Sequence, residues 1–517
     1  MIGAAYRSGI LESNENTSIP PIVDFIFGVD TTFAGSAPDT FVLPLTNGAS
    51  YNFIIDWGDG TTDTVNTSSL SDISHQYSPS GEYEIQIAGV TPEIIFGGSL
   101  DAAKVVSIKD WGVDAWENVD SMFDGCINLS GYSAIDPPVF AASVTSYRNM
   151  FRGCSLLSAN FNNWTTTGVT DTSYMFDGCT LFNSDLDTWD MSIVTDMSYM
   201  FNQAVNFAGN ISSWIVSQVV NFSHTFFNTS SFNSNLSSWV TSSATNMEFM
   251  FTNSSISGNL GSWSTGLVTT MEQMFRGASN LFGQTLLWDT GLVTNMDYMF
   301  EGVGSITSSY GVSSWNISSL TSALSFMANH NMSVVQYNSI LNNWGNQTPN
   351  SNIVISFGTS KYDGLALIRR DKLIDPPYNW TIIDGGIVTM TLIAGFDDPF
   401  FTGDVYGYQL NGIGNLAPRS IGGYTINVIT WEPSKIPPGS NVFSIGTQGA
   451  PPSDYWDSII IEDISTGSVT ATTVLNRSQV NFTGTVTISG QTTFEQRIGG
   501  VSNMFTSGNT YRITIVK

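Results

Sequence analysis

Charge is what this sequence has least of. Charged side chains are 11% of its 517 residues, and the 43 acidic against 16 basic leave a net charge of −27. Too few cations of this kind face a phosphate backbone, so nucleic acid is excluded as an expected partner. Histidine is almost absent: His75, His224 and His330 lie in unrelated contexts, with no Ser-His-Asp order, zinc spacing or phosphate loop around them. No enzyme is expected. The three cysteines, Cys126, Cys154 and Cys179, each fall three residues after a phenylalanine. Their odd count, and a spacing that follows these phenylalanines, fit small core residues better than a disulfide framework or a metal motif. No apolar run reaches the roughly 18–20 residues of a membrane span. The N-terminus, MIGAAYRSGILESNENTS, has no apolar core of the secretory kind, so no signal peptide is expected. With so little charge, the polar surface must come from Ser, Thr, Asn and Gly.

What is present is repetition. Val194–Phe201 reads VTDMSYMF, and variants recur as VTDTSYMF (169–176), ATNMEFMF (244–251), VTTMEQMF (268–275) and VTNMDYMF (293–300). The closing aromatics are Phe123, Phe151, Phe176, Phe201, Phe227, Phe251, Phe275 and Phe300. Tryptophan keeps the same beat at Trp164, Trp189, Trp214, Trp239, Trp263, Trp288 and Trp315. A period of about 25 residues predicts a solenoid within the leucine-rich-repeat range, each turn contacting its neighbours. Met197, Met200 and Phe201 stand at i, i+3 and i+4, which predicts one face of a helical turn capped by Asp196. The segment Leu186–Trp189 and its equivalents are expected to be the strand that stacks into a parallel ladder. The predicted repeat core is Met175, Phe176, Trp189, Met197, Met200, Phe201, Trp214, Trp239, Met250, Phe251, Trp263, Met274, Phe275, Trp288, Met299 and Phe300. Burial explains a Met or aromatic stripe repeated at every rung better than a ligand box does. His224 takes the position of Tyr199 and Phe249, so it reads as a solvated or semi-buried substitute.

Around the repeats the pattern is β. The sequence divides into an extended arm (1–21), a β-sandwich (22–89), the solenoid with its caps (90–387) and an all-β sandwich or jelly-roll (388–517). In the second segment, Tyr51–Trp57 leads into Gly58-Asp59-Gly60-Thr61, and strict alternation at Glu84–Ile87 marks another strand. Asp56, Asp59 and Asp63 are candidate calcium ligands. Their spacing fits better an Asp-Gly turn capped by Asp56, since a calcium site needs more oxygens than three carboxylates at this spacing specify. Val334–Trp344 looks helical. Val388–Ile393, Tyr424–Ile429, Ser458–Ile461 and Tyr511–Val516 read as strands of the last domain.

Two motifs carry a family likeness. WGDGT (57–61) followed by HQYSPSGEYEIQI (75–87) resembles the polycystic-kidney-disease (PKD)-type module, which implies an immunoglobulin-like sandwich. The repeat, with its Trp111-Gly112 start and its Lys361–Gly386 finish, resembles the BspA-type divergent leucine-rich repeats over roughly residues 50–386. That family implies adhesive surfaces without catalysis and offers no fixed functional residues. The C-terminal segments Gly407–Leu410, Gly423–Trp431 and Phe443–Gly446 look like a β module of phage virion proteins. The resemblances imply a non-enzymatic virion surface protein: a tail fibre, spike or capsid decoration that contacts other virion proteins and attaches to a host glycan or protein receptor. The alternatives are an exported bacterial cell-surface adhesin and a purely structural virion cement protein. No membrane insertion is expected, and a homo-oligomer is compatible with a fibre. Its function should lie in the variable Ser, Thr and Asn positions between Phe201 and Trp214 and their equivalents.

Overall fold

The structure, a computed structural model, describes residues 25–387 except 47–50, 67–71, 90–92, 132–136, 282–284, 304–309 and 363, together with strand backbones between 391 and 516. The predicted arm (1–21) and Val388–Met390 lie outside the described residues. The protein is β-rich with few helices. It divides into two compact units, Met1–Leu281 and Phe282–Lys517.

The first unit begins with β1 (Phe25–Asp30), β2 (Thr40–Leu43), β3 (Phe53–Asp56), β4 (Thr62–Val65), β5 (Ile73–Gln76), β6 (Glu82–Gly89) and β7 (Val105–Trp111). Five of them form a sheet in the order β4-β3-β6-β1-β7, and β2 pairs with β5. Alternation directs the packing: Phe53, Ile55, Ile85 and Ile87 are buried while Ile54 is exposed. A short 3-10 turn, Ala102–Lys104, leads into β7. Beside it lies an ion pair with both side chains fully buried, Lys104 Nζ to Asp101 Oδ1 at 2.9 Å. Asp101 also accepts from Ser36 and from the Val42 amide, and Lys104 donates to the Ala37 and Thr40 carbonyls. Every charge is therefore matched by hydrogen bonds, the condition under which a buried pair is tolerated.

From Trp116 onward the first unit is a stack of similar turns. Parallel bridges run Ser146–Asp171–Asp196–Asn221–Asn246–Thr270. The expected helix at Met197–Phe201 does not form. Met197, Tyr199, Phe201 and Gln203 donate their N–H groups forward to the carbonyls of Asn221, Ser223, Thr225 and Phe227. Met200, Asn202 and Ala204 donate three residues back. Alternate amides thus serve the next rung and the local turn, and Tyr199 and Gln203 sit at φ +59°. A left-handed residue at every fourth position is incompatible with a right-handed helix, yet it still carries all three apolar side chains inward. The parallel bridges also fall at Asp196 and its equivalents. Leu186–Trp189 is a turn closed by Trp189 N to Leu186 O, which corrects the expected position of the ladder. The closing aromatic is corrected at one rung as well. Phe226, not Phe227, stacks between Phe201 and Phe251 at 5.6 and 5.5 Å, because Thr225 takes the methionine's place.

The second unit opens with turns of the same kind, Asn295 bridging Ser322 and Ala323 bridging Ile355. Helix α1 (Val334–Gly345) starts on a capping box made by Ser333 and Gln336. Strand β8 (Val354–Ser356) pairs parallel with β9 (Thr381–Ile383) around α2 (Gly364–Ile374). Twelve further strands, β10 (Thr391–Ile393) to β21 (Thr510–Val516), include β15 (Tyr424–Trp431) and β17 (Ser458–Asp463) where strands were predicted. They form a five-stranded and a seven-stranded sheet, antiparallel throughout.

Candidate functional surface

All sixteen predicted repeat-core residues are buried, none more than 4% exposed. In the first unit, Phe151, Phe176, Phe201, Phe226, Phe251 and Phe275 stack at 5.5–6.0 Å with nearly parallel rings. Trp189, Trp214, Trp239 and Trp263 stack at 6.1–6.5 Å. Their polar atoms explain why the position is tryptophan. The indole N–H of Trp189, Trp214, Trp239 and Trp263 donates to the carbonyl of Phe161, Leu186, Ile211 and Leu236 respectively. In the second unit Trp315, Trp344 and Trp380 do the same to Leu286, Val312 and Asn350. Each indole fills the core and donates to a carbonyl about one repeat earlier, buried in every case but Asn350. The cysteines join this logic: the Cys154 and Cys179 thiols donate to the Phe123 and Phe151 carbonyls. Complete burial holds all three thiols well above the usual range, so they are inert.

Two left-handed positions per turn aim further side chains outward. The first holds Tyr174, Tyr199, His224 and Phe249, at φ +55° to +59°. Their half-buried rings stack at 4.5, 4.3 and 4.4 Å, and the Arg148 guanidinium lies 5.9 Å from the Tyr174 centroid. With both faces of the inner rings covered, only ring edges meet solvent, so this ladder offers no open platform for a flat ligand. Burial lowers the His224 pKa to about 4, so the ring is neutral at pH 7. The second position holds Gly153, Gly178, Gln203, Asn228, Asn253 and Gly277. Next to it Arg152 makes a two-point bond to Asp124, and Asn202 donates to Asp177.

The hydroxyls between the aromatics are less free than sequence suggests. Ser213, Ser238 and Ser262 donate to the Asp187, Ser212 and Ser237 carbonyls. Thr170, Thr195, Thr245 and Thr269 donate to the Thr145, Thr170, Val220 and Thr245 carbonyls. Their protons hold the rungs together, and what remains outward is lone pairs and methyl groups. Sequence reasoning missed the edge that follows each tryptophan, where Ile215 and Val240 are 60% and 54% exposed.

The three candidate calcium ligands do not converge. Asp56 accepts from the Gly58 amide, Asp59 accepts from Thr61 and faces His75 Nε2 at 2.9 Å, and Asp63 accepts from the Trp57 indole. Burial would raise the Asp59 pKa, but the bonds from Thr61 and His75 outweigh it and hold the carboxyl below its ordinary value. His75 also stacks on Trp57 at 4.6 Å. Each carboxylate closes the turn or pins an aromatic, and no three metal-ligating side chains cluster among the described residues. No helix among them is long and apolar enough to cross a membrane.

A β-rich protein built on stacked turns of about 25 residues is thus defined. Residues 145–260 and 253–361 match the family described as "Mycoplasma protein of unknown function, DUF285". Neither the curated proteins nor the solved structures returned a match.

Proposed function

We propose that the chain is a non-enzymatic adhesion protein whose BspA-type, leucine-rich-repeat-like solenoid (90–387) is the recognition surface. A PKD-like sandwich precedes it and a virion-type β domain follows. The reading places the protein on a phage particle, as tail fibre, spike or capsid decoration, with a host glycan or protein as receptor. One observation carries the adhesive part: each rung repeats the same backbone hydrogen bonds while its outward side chains vary. Such an arrangement keeps a rigid scaffold and leaves the outer positions to specify a ligand. Glycan-array binding of the full chain tests adhesion, and a blank array favours a cement role. Mass spectrometry of purified virions tests location. The exported bacterial adhesin is the second reading, favoured by the cellular source named in the matched family. Recovery in the producing cell's own envelope fraction decides for it.

A further inference from the structure

The edge that follows each tryptophan is built the same way five times. Val169, Val194, Val219, Ala244 and Val268 each donate an amide three residues back, to Thr166, Met191, Val216, Thr241 and Thr265. All ten of those side chains are buried. The residues on either side of each pair face outward in regular files. One file is Thr165, Asp190, Ile215, Val240 and Ser264, and all five are exposed. Another is Thr170, Thr195, Val220, Thr245 and Thr269. Ile193 and Leu267, 45% and 51% exposed, lie between the two. Over the five segments 165–170, 190–195, 215–220, 240–245 and 264–269 the only charged residue is Asp190, in a chain with 43 acidic side chains.

Three properties of this edge point to one class of ligand. It is periodic: bridged rungs lie on the order of 4.8 Å apart, and the underlying indoles recur every 6.1–6.5 Å. A pyranose in an extended chain advances by a comparable length. It carries no cation, so a sulfated or phosphorylated polymer finds no counter-charge there. The Thr170, Thr195, Thr245 and Thr269 protons are committed to carbonyls of the neighbouring rung, so that file offers methyl groups and oxygen lone pairs, beside the apolar Ile215 and Val240 and the exposed hydroxyl of Ser264. Sugar C–H faces and donor hydroxyls complement that set. We propose that this edge binds a neutral, linear polysaccharide laid along the stack, one sugar per rung, an inference that rests on the adhesion reading above. The turns are fixed in the free protein, so little ordering accompanies binding.

The test measures affinity of the full chain for neutral linear oligosaccharides, cello- and manno-series, from disaccharide to hexasaccharide. Affinity should rise at least about tenfold along the series, as each added sugar reaches another rung at high effective concentration. The double variant Ile215→Asp/Val240→Asp should lose at least about tenfold, or 1.4 kcal/mol. Ala208→Asp, exposed on another strip of the same turns, should bind normally. Unchanged thermal melts show that the variants fold. Equal affinity for short and long sugars, preference for anionic polymers, or full binding by the double variant overturns the edge assignment and leaves adhesion standing. Absence of binding to every glycan and every surface protein overturns both.

Discussion

His330 supplies the sharpest quantitative prediction. Its side chain is fully buried in the second unit, edge-on to Tyr310 at 5.8 Å. Both ring nitrogens are buried, and a bond to the Met327 backbone offsets the effect of burial only in part. Burial lowers its pKa from the ordinary 6.5 to about 4. The neutral ring is therefore favoured in the folded state, and the unfolded state binds the extra proton between those two values. Stability is fully present above pH 6.5 and is lost as pH falls through that window. Integrating the linkage gives a loss of about 2 kcal/mol at pH 5 and about 3 kcal/mol at pH 4 relative to pH 7. His330→Leu removes the titration, so the wild type should lose about 2 kcal/mol more than the variant between pH 7 and pH 5. Denaturant unfolding at the two pH values, followed in the second unit, reads this difference. With only three histidines in the chain, imidazole NMR titration gives an independent check. A His330 resonance that titrates near 6.5 in the folded protein, or parallel pH profiles for the two proteins, would refute the reasoning.

Four other perturbations follow from the packing. Trp214→Phe removes the 2.7 Å bond to the Leu186 carbonyl, which keeps its other bond from the Trp189 amide, and leaves a void in the stacked core. It should cost about 2–4 kcal/mol in chemical denaturation. Gln203→Gly relieves a left-handed residue at φ +59° and should stabilise by about 1 kcal/mol, whereas Gly178→Ala, at φ +74°, should cost a similar amount. Lys104→Met leaves the buried Asp101 carboxylate without its cation, for about 3–5 kcal/mol at pH 7. Burial would raise the Asp101 pKa, but its bonds from Ser36, Lys104 and Val42 hold it below the usual value. Wild-type stability from this group is therefore present at neutral pH and falls in acid, through the lowered pKa.

The repeat was legible because burial imposes a residue type at every rung. These inward positions hold methionine or phenylalanine in most turns, with buried Thr172 and Thr225 as exceptions, so the period survives in the residues themselves. The backbone that carries it was not legible from spacing. Met197, Met200 and Phe201 satisfy a helical i, i+3, i+4 rule, yet two left-handed residues per rung produce the same inward set without a helix. The signal for those residues lies in the MFDG, MFRG and MFEG segments, whose glycines Gly153, Gly178, Gly277 and Gly302 all have φ above +65°. The first left-handed position leaves no such trace, because Tyr199, His224 and Phe249 hold it in place of glycine and stack their rings there. The same limit applies to the outer surface. Sequence pointed to Ser, Thr and Asn as free recognition groups, because a hydroxyl in a list of residues has no direction. In the fold Ser213, Ser238 and Thr195 aim their protons at the neighbouring rung, and the side chains left uncommitted are Ile215 and Val240. Variable positions therefore divide into those that fasten rungs and those that face outward. Only the second kind can change with a ligand while the stack stays intact, so exchange of residues along the Ile215 file should alter binding and spare stability, and exchange along the Ser213 file should do the reverse.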